Sequence, residues 1–199
     1  YRKYRPQKIS DLDSTVVREK LLSVFSKGDS IPHAFLFTGP KGLGKTSTAR
    51  IVAKAVNCEK QQLTINNSQL TEEKKKSNVK GQLSTVNGVE PCNTCDSCIS
   101  ITNGTNLDVL EIDAASNRGI DEMRELKDKI RLAPVSAKKK VYIIDEVHML
   151  TTEAFNALLK TLEEPPDHAM FVLCTTEPHK VIGTIISRCF HIHFSLATE

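Results

Sequence analysis

Short apolar runs alternate along this chain with stretches in which apolar residues return every three or four positions. The continuous runs are His33–Thr38, Leu107–Ile112, Lys140–Asp145 and Ala169–Cys174, and each suits a strand buried on both faces. Between them the 3.6-residue period predicts helices. One runs over Asp11–Lys27, with Leu12, Val16, Leu21, Leu22 and Phe25 on one side, and ends near Gly28. Another covers 47–57, where Ile51, Val52, Ala55 and Val56 share a face. Further helices are expected over 120–131, over 151–162 and over 178–187. For the helix over 151–162, Thr151 or Thr152 is the N-cap and Glu164-Pro165-Pro166 the stop. Phe190–Phe194 alternates as a closing strand. Strand and helix in alternation mean an α/β fold, a parallel sheet flanked by helices on both faces. Residues 59–91 break the pattern. They are rich in Gln, Asn, Ser, Thr and Lys, and read as a solvated insertion.

Composition narrows this picture only a little. The 199 residues make one large domain, 1–199, or one domain with an embedded module, and 39% hydrophobic content suffices for its core. A net charge of +3 permits contact with nucleic acid without arguing for it. No apolar run is long enough for a membrane-spanning helix. The basic, non-apolar start at Tyr1 leads us to expect a fragment of a longer protein without a signal peptide.

Candidate chemistry begins at residues 39–46, Gly-Pro-Lys-Gly-Leu-Gly-Lys-Thr, a complete G-x-x-x-x-G-K-[ST] loop between a strand and a helix. Gly39, Gly42 and Gly44 allow successive N–H groups to converge on phosphate oxygens. Pro40, Lys41 and Leu43 complete the loop, Lys45 adds a charge for the β- and γ-phosphates, and Thr46 offers a hydroxyl to Mg²⁺. Ser47 continues into the helix, whose N-terminal dipole favours the same anion. The strand Val141–Ile144 delivers Asp145 to the sheet's carboxyl edge, where an acidic residue can hold Mg²⁺. Glu146 follows as a general base for an attacking water. The expected ligand is therefore ATP with Mg²⁺.

Cys92, Cys95 and Cys98 stand at three-residue spacing, and Cys58 lies upstream across residues 59–91. Four thiolates so arranged suit a structural Zn²⁺. An iron–sulfur cluster is the alternative, but no proline follows the last cysteine of the trio. The embedded module would span 58–104. Cys174 and Cys189 lie in apolar contexts and read as core. His148 reads as structural, and Lys138–Lys140 as a solvated turn.

Several stretches resemble the gamma/tau subunits of bacterial DNA polymerase III clamp loaders, which are AAA+ P-loop ATPases. They are Asp145-Glu146-Val147-His148-Met149-Leu150, Phe155–Pro166, Thr175-Thr176-Glu177-Pro178, Ser187-Arg188-Cys189 and the opening Tyr4-Arg5-Pro6. The resemblance covers almost the whole chain outside 59–91, and the family has the same cysteine arrangement with a shorter gap. It implies a replication ATPase of the cytoplasm, an N-terminal nucleotide-binding domain that stops before the helical lid. Its partners would be delta, delta-prime and further gamma/tau copies, the sliding clamp and primer-template DNA. Delta-prime typically has a degenerate phosphate loop, so a non-hydrolysing scaffold is the weaker alternative. Another AAA+ DNA motor, such as a Holliday-junction helicase, would not account for the four cysteines. The resemblance also implies that Thr176 senses the γ-phosphate and that Arg188 acts as an arginine finger on a neighbour's ATP. Arg5, Pro6 and Val16 fall where the family contacts adenine, although Asp13-Ser14-Thr15 departs from its usual Val/Ile-Gly-Gln. Asn117, Arg118 and Arg124 fall near its DNA-facing surface.

Overall fold

The computed structural model describes residues 5–26, 31–60, 90–117 and 119–195. Most of the insertion expected over 59–91 lies outside them, as does Arg118. Five strands run parallel in the order β2-β3-β4-β1-β5. They are β1 (Ala34–Thr38), β2 (Val109–Asp113), β3 (Lys140–Asp145), β4 (Ala169–Thr175) and β5 (Phe190–His193). The helices are α1 (Thr15–Phe25), α2 (Lys45–Asn57), α3 (Asp96–Asn103), α4 (Ile120–Arg131), α5 (Thr152–Glu163) and α6 (Gly183–Ile186).

The continuous apolar runs explain themselves in this arrangement. Successive side chains of a strand point to opposite faces, so a strand buried on both sides needs apolar residues throughout. Phe35, Phe37, Val141, Ile143, Met170, Val172 and Cys174 pack on one face with α1, α2 and Ile101 of α3. Ala34, Leu36, Tyr142, Ile144, Phe171 and Leu173 pack on the other with α4, α5 and Ile185 of α6. Register Phe35↔Val172 and Ile143↔Val172 aligns these sets across the sheet.

Helix ends follow the local chemistry. Ser14 caps α1 by accepting from the Val17 N–H at 3.4 Å, so the helix starts four residues later than the apolar pattern suggested. Thr151 caps α5 through the Ala154 N–H. The helix expected over 178–187 is broken. A 3₁₀ turn over Pro178–Lys180 gives way to extended backbone at Val181 and Ile182 before α6 begins. From that extended geometry their apolar side chains reach the second core, where Val181 is buried and Ile182 packs against it. Helix α3 was hidden in the polar cysteine segment. Its stop signal is Gly104 at φ 72°. The lysine turn is also less solvated than its composition suggests, since Lys140 is buried and its ammonium donates to the Lys129 carbonyl at 3.2 Å.

Candidate nucleotide site and thiolate cluster

The carboxyl ends of β1, β3 and β4 converge on one edge of the sheet, where open parallel sheets bind ligands. β1 runs directly into the glycine loop. Gly39, Gly42 and Gly44 stand at φ 141°, 88° and 86°. Gly39 also allows close approach, for a Cβ there would sit 2.1 Å from the Phe194 carbonyl oxygen. Gly44 is the N-cap of α2, and the Thr48 N–H closes the first turn on its carbonyl at 2.8 Å. No acidic residue occupies that first turn, so the positive end of the helix faces the loop uncompensated.

Lys45 is buried and donates to the carbonyls of Gly39 at 2.7 Å and Pro40 at 2.9 Å, which holds its ammonium across the loop. Thr46 donates its hydroxyl to Asp145 Oδ2 at 2.8 Å. The two residues that chemistry assigns to Mg²⁺ thus meet, although 99 positions separate them. Asp145 Oδ1 accepts from the Glu146 N–H at 3.0 Å, which fixes the carboxylate plane. A hydroxyl and a carboxylate are hard oxygen donors of the kind Mg²⁺ takes.

Glu146 adopts φ 48°, one of two non-glycine residues with positive φ among those described. Its Oε2 accepts from Thr176, from the backbone N–H at 3.2 Å and from the hydroxyl at 2.9 Å. The base and the γ-phosphate sensor expected from sequence therefore touch directly. His148, read from sequence as structural, contacts the residues around this pair. Its Nδ1 lies 3.0 Å from Thr175 Oγ1 and 3.4 Å from Glu146 Oε2, and its Nε2 lies 3.3 Å from Glu177 Oε1. Its contacts with Thr175 and Glu177 could not be read from the sequence, because they come from the end of β4 and the turn after it.

The remaining expected residues belong to other segments. Arg188 donates to the Thr184 carbonyl at 2.7 Å and to Glu163 Oε1 at 2.6 Å, at the junction of α6 and the end of α5. Arg5 is exposed and Pro6 half-buried in the segment before α1. Val16 points outward at 55% exposure, while its neighbour Val17 is fully buried. Arg124 pairs with Asp121 on the exposed side of α4, and Asn117 caps its own turn by donating to the Asp113 carbonyl at 2.9 Å.

The four cysteines form a second centre. The sulfurs of Cys58, Cys92, Cys95 and Cys98 all lie within 4.8 Å of one another. A tetrahedral Zn²⁺ with Zn–S of about 2.3 Å needs sulfurs about 3.8 Å apart, so small side-chain rotations satisfy it. Three N–H groups already point at sulfur. Cys92 donates to Cys58 Sγ at 3.4 Å, and Thr94 and Cys95 donate to Cys92 Sγ at 3.4 and 3.3 Å. Burial works against the Cys92 thiolate, but the Thr94 and Cys95 donors outweigh it and bring its pKa down to about 6. Burial raises Cys98 instead. The donor set fits a structural metal, and the other two cysteines, Cys174 and Cys189, belong to the two cores.

Around the cluster, Lys54 of α2 is 2% exposed. Its ammonium donates to the Gln7 carbonyl at 3.0 Å, Gln7 Oε1 at 2.7 Å and Asn93 Oδ1 at 2.8 Å. Glu90 accepts from the N–H groups of Ile9 at 2.9 Å and Ser10 at 2.8 Å. A lysine inside an apolar helical stripe gives no sequence signal for such a role.

Comparison with known proteins places the chain in a family. The sequence model of the family described as "DNA polymerase III, delta subunit" matches residues 17–198. The tau subunit of DNA polymerase III from Bacillus subtilis is 48% identical over 100% of this chain, which spans 31% of that protein. The tau subunit from Escherichia coli is 44% identical over 96% of the chain, which spans 26% of it. The chain thus spans less than a third of the length of these relatives. Among solved structures, the RuvB Holliday junction branch migration motor of Thermotoga maritima superposes with a TM-score of 0.53 at 18% identity. That likeness covers 97% of this chain and 48% of RuvB, and it is one of fold. The family match over nearly the whole domain and the tau subunits among its relatives lead to one conclusion: this chain belongs to the DNA polymerase III subunit family described as the delta subunit.

Proposed function

We propose that the chain is the ATP-binding and ATP-hydrolysing domain of a gamma/tau-type motor subunit of a DNA polymerase III clamp loader. The observation that carries this reading is the 2.8 Å bond between Thr46 and Asp145 beside an intact glycine loop. In a degenerate nucleotide site there would be no reason to keep both halves of a magnesium-binding pair.

The residues divide the work. The loop amides from Gly39 to Lys45 and the α2 N-terminus hold the phosphates, with Lys45 supplying charge. Mg²⁺, held by Thr46 and Asp145, would neutralise charge building on the β- and γ-oxygens. Glu146 accepts a proton from the attacking water, whose oxygen bonds to the γ-phosphorus as the bond to the β,γ-bridging oxygen breaks. ADP and phosphate are the products. Thr176 holds the Glu146 carboxylate in place and reports the γ-phosphate to β4. Arg5, Pro6 and Val16 line the base side. Arg188 has its own anchor in Glu163, and we assign it to a neighbouring subunit's ATP, where its charge would stabilise the transition state. The thiolate cluster, Cys58, Cys92, Cys95 and Cys98, holds a structural Zn²⁺ in a module over 58–104.

In the assembled protein, delta, delta-prime and further gamma/tau copies would form the ring, and its cargo would be the sliding clamp on primer-template DNA in the cytoplasm. ATP binding would set the competent ring and hydrolysis would release it. Nucleotide titration of Lys45→Ala tests the core of the reading. Affinity should fall about 100-fold or more, as expected when charge-assisted hydrogen bonds to phosphate are removed. Affinity within threefold of the unaltered protein would overturn it.

A further inference from the structure

Two arms leave the cysteine cluster and end on the same short segment. Asn93 lies between Cys92 and Cys95, at φ 58°, and its Oδ1 accepts from Lys54. Lys54 also grips Gln7 twice, so all three ammonium hydrogens have acceptors. Glu90, two residues before Cys92, accepts from the backbone N–H groups of Ile9 and Ser10. The segment held in this way, Gln7–Ser10, follows Arg5-Pro6 directly and contains Ile9, fully buried in the first core. Lys54 belongs to α2, the helix that starts at the phosphate loop.

We propose that the cysteine module is a positioning device for the base side of the nucleotide site, with Asn93 and Lys54 as its positioning residues. This inference rests on the nucleotide reading above. Metal-bound thiolates fix the Cys92–Cys95 turn and with it Asn93 and Glu90. Those two side chains fix Gln7–Ser10 against α2, and this sets where Arg5 and Pro6 stand relative to the phosphate loop. The module thus acts on the base side, because the segment that it holds, Gln7–Ser10, is separate from the phosphate loop, residues 39–46. The geometry has a reason to be buried. Lys54 lies out of water, so its three bonds are directional and all are needed once the ammonium is inside.

The test compares two ligands on the full chain, Mg-ATP and inorganic Mg-tripolyphosphate, which lacks the base. Asn93→Gly keeps the positive φ and removes the acceptor, whereas Asn93→Asp keeps an acceptor for Lys54. With Asn93→Gly, ATP affinity should fall about tenfold, the scale of one hydrogen bond to a charged group, while tripolyphosphate affinity stays within twofold. Asn93→Asp should restore ATP binding. A second readout is hydrogen exchange at Ile9 and Ser10, which should quicken when the metal is stripped with a chelator. Equal losses for both ligands, or unchanged ATP affinity with Asn93→Gly, would overturn the inference. If the unaltered chain bound neither ligand, the nucleotide reading itself would fall, and this inference with it.

Discussion

Replacing Glu146 by glutamine separates binding from chemistry at this site. The carboxylate oxygen Oε2 accepts from the Thr176 N–H at 3.2 Å and its hydroxyl at 2.9 Å. A glutamine carbonyl can accept both bonds in the same place, so the side chain should keep its pose at φ 48°. What disappears is the ability to take the water's proton. A positioned general base contributes about 10²- to 10⁴-fold, so the barrier should rise by about 3 to 5 kcal/mol at 1.36 kcal/mol per decade. Single-turnover hydrolysis with protein in excess reads the chemical step, and nucleotide titration reads affinity. The expected result is a rate lowered at least 100-fold with affinity within threefold. Thr176→Val gives a graded control, since it removes the hydroxyl but keeps the N–H. It should cost about tenfold in rate, one hydrogen bond's worth. A Glu146→Gln rate within threefold of the unaltered protein would refute the assignment of the base. Loss of binding in place of rate would mean that Glu146 holds the ligand.

The thiolate site should contain one zinc per chain by elemental analysis; iron, or no metal in protein purified without chelator, would refute this. Arg188→Ala in one subunit of a reconstituted ring should slow hydrolysis at the neighbour's ATP by about 10³- to 10⁵-fold, as loss of an arginine finger does elsewhere. Single-turnover assays on mixed complexes check it, and a defect confined to the altered subunit's own ATP would place the arginine in cis. Asp108 is fully buried and accepts from the N–H groups of Val135, Ser136 and Ala137 at 2.8 to 2.9 Å. Burial opposes its ionisation, but those amides and Lys140 hold its carboxyl below the ordinary 3.8. A depressed carboxyl stabilises the fold above its unfolded pKa, and that contribution is lost as pH falls through the folded value. Asp108→Ala should therefore cost about 2 kcal/mol at neutral pH by urea unfolding, and the gap should narrow below pH 3.8. A gap that stays constant with pH would sink that account.

Local signals served well where structure is set locally. The glycine loop, the apolar β3 run ending in Asp145 and the span of α4 could be read directly, because period and special backbone angles are written into neighbouring residues. The break at Val181-Ile182 was not legible, since helical period and extended packing use the same apolar residues there. Helix α3 escaped because only Cys98 and Ile101 are buried on it. Lys54 and His148 escaped for a different reason. Apart from Glu146 beside His148, their partners lie far away in sequence, 47 and 39 positions for Lys54 and 27 for the His148–Thr175 contact. Such roles arise from how the sheet brings segments together, and no window along the chain contains them.

Among the described residues the order β2-β3-β4-β1-β5 leaves two outer strands, and neither invites another strand beside it. On β2, Glu111 and Asp113 carry charge to the surface, and Glu111 is tied to Arg50 by a forked ion pair at 2.5 and 2.6 Å. On β5, exposed His191 and His193 flank buried Ile192 and share the Thr38 hydroxyl. Charged and polar side chains along unpaired backbone discourage sheet-to-sheet growth. Five parallel strands with such rims resist aggregation by strand addition. A neighbour of this domain would then find its contacts on helix and loop surfaces. A shared sheet would lock the two together.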